Sequence, residues 1–235
     1  MRDNPPVPTS TVEDYLKSIL LEEQALEAKG AEPRGRDERV GTGQIAARLA
    51  LSPGTVTAMV KALADSGLVA YEPYSGVRLT SSGRQLALHV LRRHRLIELF
   101  LVEVLHLDWS EVHDEAERLE HAASDRLIER IDEMLGFPAV DPHGDPIPTA
   151  GGVIEDPEQP NLLTCPVGDE LLVARVSDQS PDFLQLVKRR GLRPGQSLRV
   201  LGRDEAADTV ELELAGGERL SLGLRAASKI LVVPA

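Results

Sequence analysis

Hydrophobic residues recur at three- and four-residue spacing through most of the first 135 positions, and closer to every second position near the C-terminus. This pattern predicts α-helices first and β-strands afterwards. The expected helices cover residues 11–29, 44–50, 53–66, 81–105 and 110–135. A hairpin is expected over 68–80, and a stretch rich in Pro and Gly over 141–160 predicts a linker. The later strands are expected over 171–176, 197–201, 210–214, 219–224 and 230–233, with one helix near 181–191.

The segment from Gln44 to Thr80 has the order of a winged helix-turn-helix, in which two helices joined by a tight turn precede a two-stranded hairpin. Ser52 suits the N-cap of the second helix, and Pro53 suits its first position. No Arg, Asn or Gln occupies its first turns, so contacts to DNA would fall mainly on phosphates. A helical core with a β-ribbon, as in protein-interaction modules, is the alternative. The candidate DNA-binding residues are Ser52, Thr55, Thr57, Lys61 and Arg78.

Charge is segregated along the chain, although the formal net charge is -12. The segment from Arg34 to Arg95 contains ten Lys and Arg residues and four acids, a net charge of +6. The segment from Leu96 to Leu135 contains twelve acids and three Arg residues, a net charge of -9. Solvated surface can produce such an imbalance, but here the basic part coincides with the helix-turn-helix pattern. The charges therefore favour one region that meets phosphates and another that attracts cations.

Imidazoles and carboxylates gather on the predicted helices of the acidic region. His113, Glu117, Glu120 and His121 fall at i, i+4, i+7 and i+8, which is one helical face, and His94 and Glu98 form another i, i+4 pair. Such donors suit a divalent transition metal. Salt bridges on a solvated face are the simpler interpretation of any one of these acids, and His94 could belong to a basic surface. The joint pattern favours metal binding.

The composition limits the remaining choices. A chain of 235 residues with 42% hydrophobic residues can form two or three small domains. Its single cysteine, Cys165, excludes a disulfide framework and suits a reducing cytoplasm. The first ten residues predict a disordered arm rather than a signal peptide, and residues 30–41 predict a polar, Arg-rich loop. No apolar run is long enough for a membrane span.

The first 150 or so residues resemble the DtxR/MntR family of metal-dependent transcriptional regulators. The resemblance runs through the motifs TVEDYL, IAARLALSPGTVTAMVKALADSGLV, LTSSGR, RRHRLIELFL, VHDEAERLEH and DPHGDPIP. The C-terminal part resembles the SH3-like module of longer family members, with GLRPGQSLRV as its clearest motif. The family implies a mostly α fold with a small β part. The expected domains are a winged helix-turn-helix over 1–80, a metal-binding and dimerisation domain over 81–150, and a linker with an SH3-like β-barrel over 151–235.

The resemblance implies a primary metal site formed by Asp14, Glu117, Glu120 and His121. Iron-responsive members carry Met and Cys at the first two of these positions, whereas this chain carries carboxylates, as manganese-responsive members do. Oxygen donors with one imidazole suit Mn(II) and tolerate Fe(II), and Zn(II), Co(II) or Cd(II) could substitute in vitro.

The resemblance also implies a second site formed by His94, Glu98 and His113, to which the SH3-like module could add Gln179 and Asp182. Manganese-type members commonly carry a Glu where this chain has Lys17, and a cation there cannot be a ligand. This difference favours two separate sites over a close binuclear cluster. His89, His106 and His143 match no ligand position and are expected to be structural or exposed.

The family implies a homodimer that binds a palindromic operator in double-stranded DNA and represses genes of metal uptake. We consider two other functions. A winged-helix regulator that responds to a small organic ligand would contain an apolar pocket and would be indifferent to chelators. A metal hydrolase would need a substrate pocket with a positioned base, and the sequence carries no nucleophile motif.

Overall fold

The computed structural model describes residues 9–29 and 39–235, so the predicted N-terminal arm and Arg-rich loop lie almost wholly outside the described residues. The chain divides into two units. The first extends to Arg92 and includes Pro148–Val153, and the second comprises Arg93–Ile147 and Ile154–Ala235. The boundary falls within a long helix, and each unit is described by itself.

The first unit contains the winged helix-turn-helix predicted from sequence. Strands β1 and β2 pair antiparallel, with Val69 opposite Leu79. The Ser52 hydroxyl accepts the Thr55 N–H at 3.2 Å, which makes it the expected N-cap. The elements in order are α1 (Ser10–Lys29), α2 (Thr42–Arg48), α3 (Pro53–Asp65), β1 (Val69–Glu72), β2 (Gly76–Leu79) and α4 (Ser81–Glu103).

Glu23 joins three elements of the first unit. Its Oε1 accepts the backbone N–H of Leu79 at 2.8 Å, and its Oε2 lies 2.6 Å from the Arg84 guanidinium. Burial raises the pKa of the Glu23 carboxyl, although these two partners act in the opposite direction. The buried carboxylate therefore connects α1, the hairpin and the start of α4.

Two helices follow α4 in the second unit, where the sequence predicted a single helix over 110–135. They are α5 (Val112–Glu120) and α6 (Asp125–Met134). The chain leaves the helical path after His121, and the Ser124 hydroxyl caps α6 by accepting the Leu127 N–H at 3.3 Å. Leu96, Val112 and Ala116 are fully buried in the apolar core between these helices.

The C-terminal part of the second unit is an antiparallel sheet with the strand order β6-β5-β4-β3-β7. The sequence predicted all five strands and α7, but not the short α8. Leu198, Val210 and Val232 lie in the core of this module. The elements are β3 (Glu170–Val176), α7 (Pro181–Arg189), β4 (Ser197–Asp204), β5 (Thr209–Leu214), β6 (Arg219–Gly223), α8 (Leu224–Ala227) and β7 (Ile230–Pro234).

The beginning of the predicted linker is not a solvent-exposed connection, because residues 141–147 are mostly buried. The Asp141 carboxylate accepts the backbone N–H groups of His143 and Asp145 at 2.8 and 3.0 Å, which forms a tight polar turn. Val176 of β3 donates its N–H to the His143 carbonyl, with an N···O distance of 2.8 Å. We call residues 141–147 the Asp-His loop, and it connects the helical part of the second unit with its sheet.

Candidate metal centre

Three predicted ligands converge within the second unit. His94 and Glu98 lie one turn apart on α4, and His113 lies in the first turn of α5. Nε2 of His94 lies 3.0 Å from Oε1 of Glu98, and Nδ1 of His113 lies 3.1 Å from each of these two atoms. Ligand atoms about 2.1 Å from one ion and at right angles to one another are separated by about 3.0 Å. The three side chains therefore have the spacing of neighbouring ligands around a single cation.

The second ring nitrogen of His94 contacts a buried carboxylate. Nδ1 of His94 lies 2.6 Å from Oε2 of Glu120, which is fully buried. If Nδ1 donates its proton to Glu120, Nε2 of the neutral ring directs a lone pair towards Glu98. Nε2 and Glu98 could together hold a metal ion, which would replace this repulsion with coordination. An imidazole that ligates through one nitrogen and donates to a carboxylate through the other is the usual arrangement of a metal-binding His.

The predicted primary-site residues of the second unit lie beside this cluster. Oε1 of Glu120 is 3.4 Å from Nε2 of His121, and Oε1 of Glu117 is 3.7 Å from Nε2 of His113. Ligand atoms of His94, Glu117 and Glu120 lie within 4.8 Å of one another. Glu120 therefore contacts ligands of both predicted sites, a role that its position in the sequence did not indicate. Asp14 is half-buried on α1 of the first unit.

The residues that the SH3-like module was expected to supply lie in different environments. The amide of Gln179 donates to the Asp145 carboxylate of the Asp-His loop. Asp145 also forms an ion pair with Arg175 of β3. Asp182 is exposed in the first turn of α7. Their role as second-site ligands stays a prediction.

Buried charge shapes the electrostatics of the centre. Burial opposes ionisation of Glu98, but the adjacent imidazoles of His94 and His113 outweigh it and hold the pKa of Glu98 well below its usual range. Burial, reinforced by the carboxylates of Asp145 and Glu98, raises the pKa of Asp141. The Glu98 carboxylate therefore lies beside the buried carboxyl group of Asp141.

The candidate DNA-binding residues lie on α3 and the hairpin. The Ser52 and Thr55 hydroxyls are 2.8 Å apart at the exposed start of α3, and Lys61 is exposed further along it. Thr57 is half-buried, and its hydroxyl donates to the Pro53 carbonyl at 2.8 Å. Arg78 is exposed on β2. Thr57 is consequently the least available of the five for a contact with DNA.

Large apolar side chains remain exposed on the helical part of the second unit. Leu127, Met134 and Phe137 are 51%, 67% and 70% exposed, although α6 already buries Ile128 and Ile131 on its other face. Contiguous exposed apolar surface of this kind is typical of protein interfaces. We expect Leu127, Met134 and Phe137 to belong to the surface that pairs two copies of the chain.

Three family models match consecutive parts of the chain. The model described as "Iron dependent repressor, N-terminal DNA binding domain" matches residues 9–77. The model described as "Iron dependent repressor, metal binding and dimerisation domain" matches residues 80–149. The FeoA domain, which has an SH3-like fold, matches residues 161–234.

Curated relatives and solved structures agree with these matches. The iron-dependent repressor IdeR of Mycobacterium leprae is 31% identical over 224 residues, covering 90% of this chain and 92% of the relative. The diphtheria toxin repressor of Corynebacterium glutamicum is 35% identical over 166 residues, covering 68% of each chain. A manganese-dependent transcriptional repressor in complex with manganese superposes with a TM-score of 0.81 at 42% identity, covering 95% of this chain and 100% of the other.

The chain belongs to the DtxR/MntR family of metal-dependent transcriptional regulators. It is a metal-dependent, DNA-binding transcriptional repressor with a dimerisation domain and a C-terminal SH3-like module, and not an enzyme. Operator DNA and a second copy of the chain are its partners. Within the described residues, no helix combines the length and the apolar character that crossing a bilayer requires.

Proposed function

We propose that this chain is a Mn(II)-responsive repressor of metal-uptake genes, with two ions bound to each subunit. His94, Glu98 and His113 hold one ion, and the primary site uses Asp14 with Glu117, Glu120 and His121. The observation that carries the proposal is the convergence of His94 Nε2, Glu98 Oε1 and His113 Nδ1 at 3.0–3.1 Å. Gln179 and Asp182 are further candidate ligands of the second site.

The donor set supports manganese over softer metals. The proposed ligands are carboxylates and imidazoles, and the single cysteine, Cys165, is buried in the core of the SH3-like module. Oxygen-rich sites suit Mn(II) and accept Fe(II), whereas thiolates favour zinc. Two of the similar structures are a manganese-dependent transcriptional repressor in complex with manganese and ScaR with bound Zn2+. We expect Zn(II), Co(II) and Cd(II) to bind in vitro as substitutes.

In this proposal, the primary site is where metal binding affects DNA binding. Asp14 precedes Glu117 by about 100 residues, so coordination by both would attach α1 of the DNA-binding domain to α5. The bound cation supplies positive charge that offsets the repulsion among these carboxylates. Fixing α1 would restrict the two DNA-binding domains of a dimer to one spacing, which suits palindromic half-sites about 34 Å apart or a multiple of that distance.

One prediction concerns the proposed DNA-contacting surface. Lys61→Ala is expected to weaken operator binding equally for related sequences and to lower the slope of log K against log salt by about one unit per protomer, because one phosphate contact is lost. Fluorescence anisotropy across a salt series measures this slope. Arg199→Ala removes an exposed cation from β4 and serves as the control. An unchanged slope in Lys61→Ala would remove Lys61 from the interface.

Elemental analysis followed by a metal series tests the proposed function. Protein purified without added metal is analysed for its metal content and then assayed for operator binding with Mn(II), Fe(II), Co(II), Zn(II) and Cd(II) at fixed salt. We expect Mn(II) to activate operator binding at free concentrations as low as those found in cells. EDTA should reverse this activation. DNA binding that is indifferent to EDTA would favour the regulator that responds to an organic ligand.

A further inference from the structure

The tip of the β1–β2 hairpin carries a tyrosine with two unusual properties. Tyr74 has a relative exposure of 109%, against 70% for Phe137 on the apolar surface described above. Its backbone φ is 67°, in the left-handed region that favours glycine. A single exposed apolar side chain needs no special explanation. An aromatic residue that is both fully exposed and held in a strained backbone conformation indicates a functional constraint at this position.

The strain arises in the turn that joins the two strands. Ser75 donates its N–H to the Glu72 carbonyl at 3.1 Å, which closes a four-residue turn with Pro73 in the second place. A proline there, followed by a left-handed residue, is the pattern of a type II turn, whose third position is usually Gly or Asn. Tyr74 therefore occupies a place that local geometry favours for glycine. Packing within the chain does not account for the tyrosine, because its side chain is exposed.

The base of the hairpin is held firmly, which gives its tip a defined position. Val40 and Val77 exchange two backbone hydrogen bonds at 2.9 Å, and Val40 is fully buried. Gly76 packs directly against this bridge, because an added Cβ would lie 2.6 Å from the Val40 carbonyl oxygen. Binding of a partner at Tyr74 would consequently cost little backbone entropy.

The position of the hairpin next to α3 indicates DNA as the partner of Tyr74. Tyr74 lies within the DNA-binding domain, and β1 packs against α3. Each strand of the hairpin has four residues, so the tip lies about 13 Å from the base. The major groove is about 12 Å wide. A hairpin beside a helix in that groove therefore reaches the bordering phosphates and the minor groove beyond them.

The charges and chemistry of the tip suit the DNA backbone. Glu72 is the only acid between Val69 and Thr80, and the Arg39 guanidinium lies 3.1 Å from its carboxylate. The repulsion between this acid and phosphates is thereby reduced. The phenol of Tyr74 offers an apolar ring that can pack on deoxyribose and a hydroxyl that can donate to a phosphate oxygen.

We propose that Tyr74 contacts operator DNA in the minor groove next to the major groove that α3 occupies, with its ring against the sugars and its hydroxyl donating to a phosphate. This contact adds the hairpin tip to the DNA-binding residues proposed above, and it rests on the proposed placement of α3. It carries little base specificity, because the sugars and phosphates are the same in every sequence. The exposed ring is available without any rearrangement of the hairpin.

Removal of the side chain tests the proposal on the full Mn(II)-loaded protein. The probe is a duplex that the unaltered protein selects from a random-sequence pool. Tyr74→Gly relieves the left-handed strain, so we expect the thermal midpoint not to fall. The affinity for the duplex should fall about tenfold, as for the loss of a hydrogen bond to a charged group. Tyr74→Phe keeps the ring and should lose less affinity.

The matched control is His106→Gly, which relieves the same kind of strain at another exposed ring, where φ is 57°. We expect it to bind the duplex with normal affinity. Footprinting then locates the contact. Hydroxyl radicals cleave exposed deoxyribose, and Tyr74→Gly should lose protection only at minor-groove sugars that border each half-site. Protection of guanine N7 from methylation reports the major groove and should not change.

The outcomes separate this proposal from the placement of α3. A Tyr74→Gly protein with the affinity and sugar footprint of the unaltered protein would overturn the hairpin contact alone. Weaker binding with an unchanged sugar footprint, a lower thermal midpoint or an altered dimer mass in sedimentation would also overturn it, because Tyr74 would then act through protein contacts. Unaltered protein that binds the duplex without protecting any guanine N7 would instead contradict the placement of α3 in the major groove.

Discussion

Replacing Asp14 by alanine is expected to abolish most of the Mn(II) dependence of operator binding. In the proposed primary site, Asp14 is the only ligand contributed by the DNA-binding domain, so its loss separates metal binding from the position of α1. We expect operator affinity at saturating Mn(II) to fall by about 100-fold, within the range of typical coupling between two sites. Affinity without metal is expected to change much less, because no ion then connects this carboxylate to α5.

The control for this variant is Glu27→Ala, which removes an exposed acid from the same helix and is expected to respond to Mn(II) normally. Operator binding measured at fixed salt with and without Mn(II) gives both comparisons. An Asp14→Ala protein with a normal Mn(II) response would show that α1 is not attached through this residue, and the proposed switch would lose its basis.

Replacing Gly144 by alanine is expected to destabilise the second unit by more than about 3 kcal/mol, combining left-handed backbone strain with overpacking. Gly144 has a φ of 87°, and a Cβ at this position would lie 2.0 Å from the carbonyl oxygen of Ala174. Because that contact is with the backbone of β3, no side-chain rotation relieves it. The Asp-His loop would have to leave the sheet, taking Asp141 and His143 away from Glu98.

Denaturant unfolding of the metal-free protein measures this loss. Gly168→Ala is the matched control, since Gly168 has a φ of 89° and no atom within 4 Å of an added Cβ. It should lose only the strain of the left-handed backbone, about 1–2 kcal/mol. Equal destabilisation by the two variants would mean that the loop does not require close contact with β3.

The helical pattern and the turn residues carried most of the fold prediction. Ser52, Pro53 and Gly67 define the ends of α3 because an N-cap, a first-turn proline and a left-handed glycine act locally. Local signals of a helix start are also present before α6, where Ser124 is the N-cap and Asp125 is an acid in the first turn. The apolar periodicity across residues 110–135 obscured them. Periodicity alone does not register a break of four residues between two helices that share one apolar face.

Helical spacing alone groups only part of the candidate metal ligands, and the family resemblance supplied the rest. His94 and Glu98 share a face of α4 by spacing alone. The contact of Glu120 with His94 depends on how α5 packs against α4, and sequence separation contains no information about it. The burial of Asp141 and His143 was missed for a related reason. Pro and Gly residues mark a turn but do not indicate whether the turn packs against a sheet.

The central claim is that metal binding and operator binding are coupled, and a thermodynamic cycle on the unaltered protein tests it most directly. Operator affinity is measured with and without saturating Mn(II), and Mn(II) affinity is measured with and without operator, all at one salt concentration. A shift from about 1% to 99% of the binding-competent state needs roughly 5.5 kcal/mol of differential binding. We predict that Mn(II) tightens operator binding by at least about 100-fold and that operator tightens Mn(II) binding by the same factor. Equal operator affinities with and without Mn(II) would contradict the account.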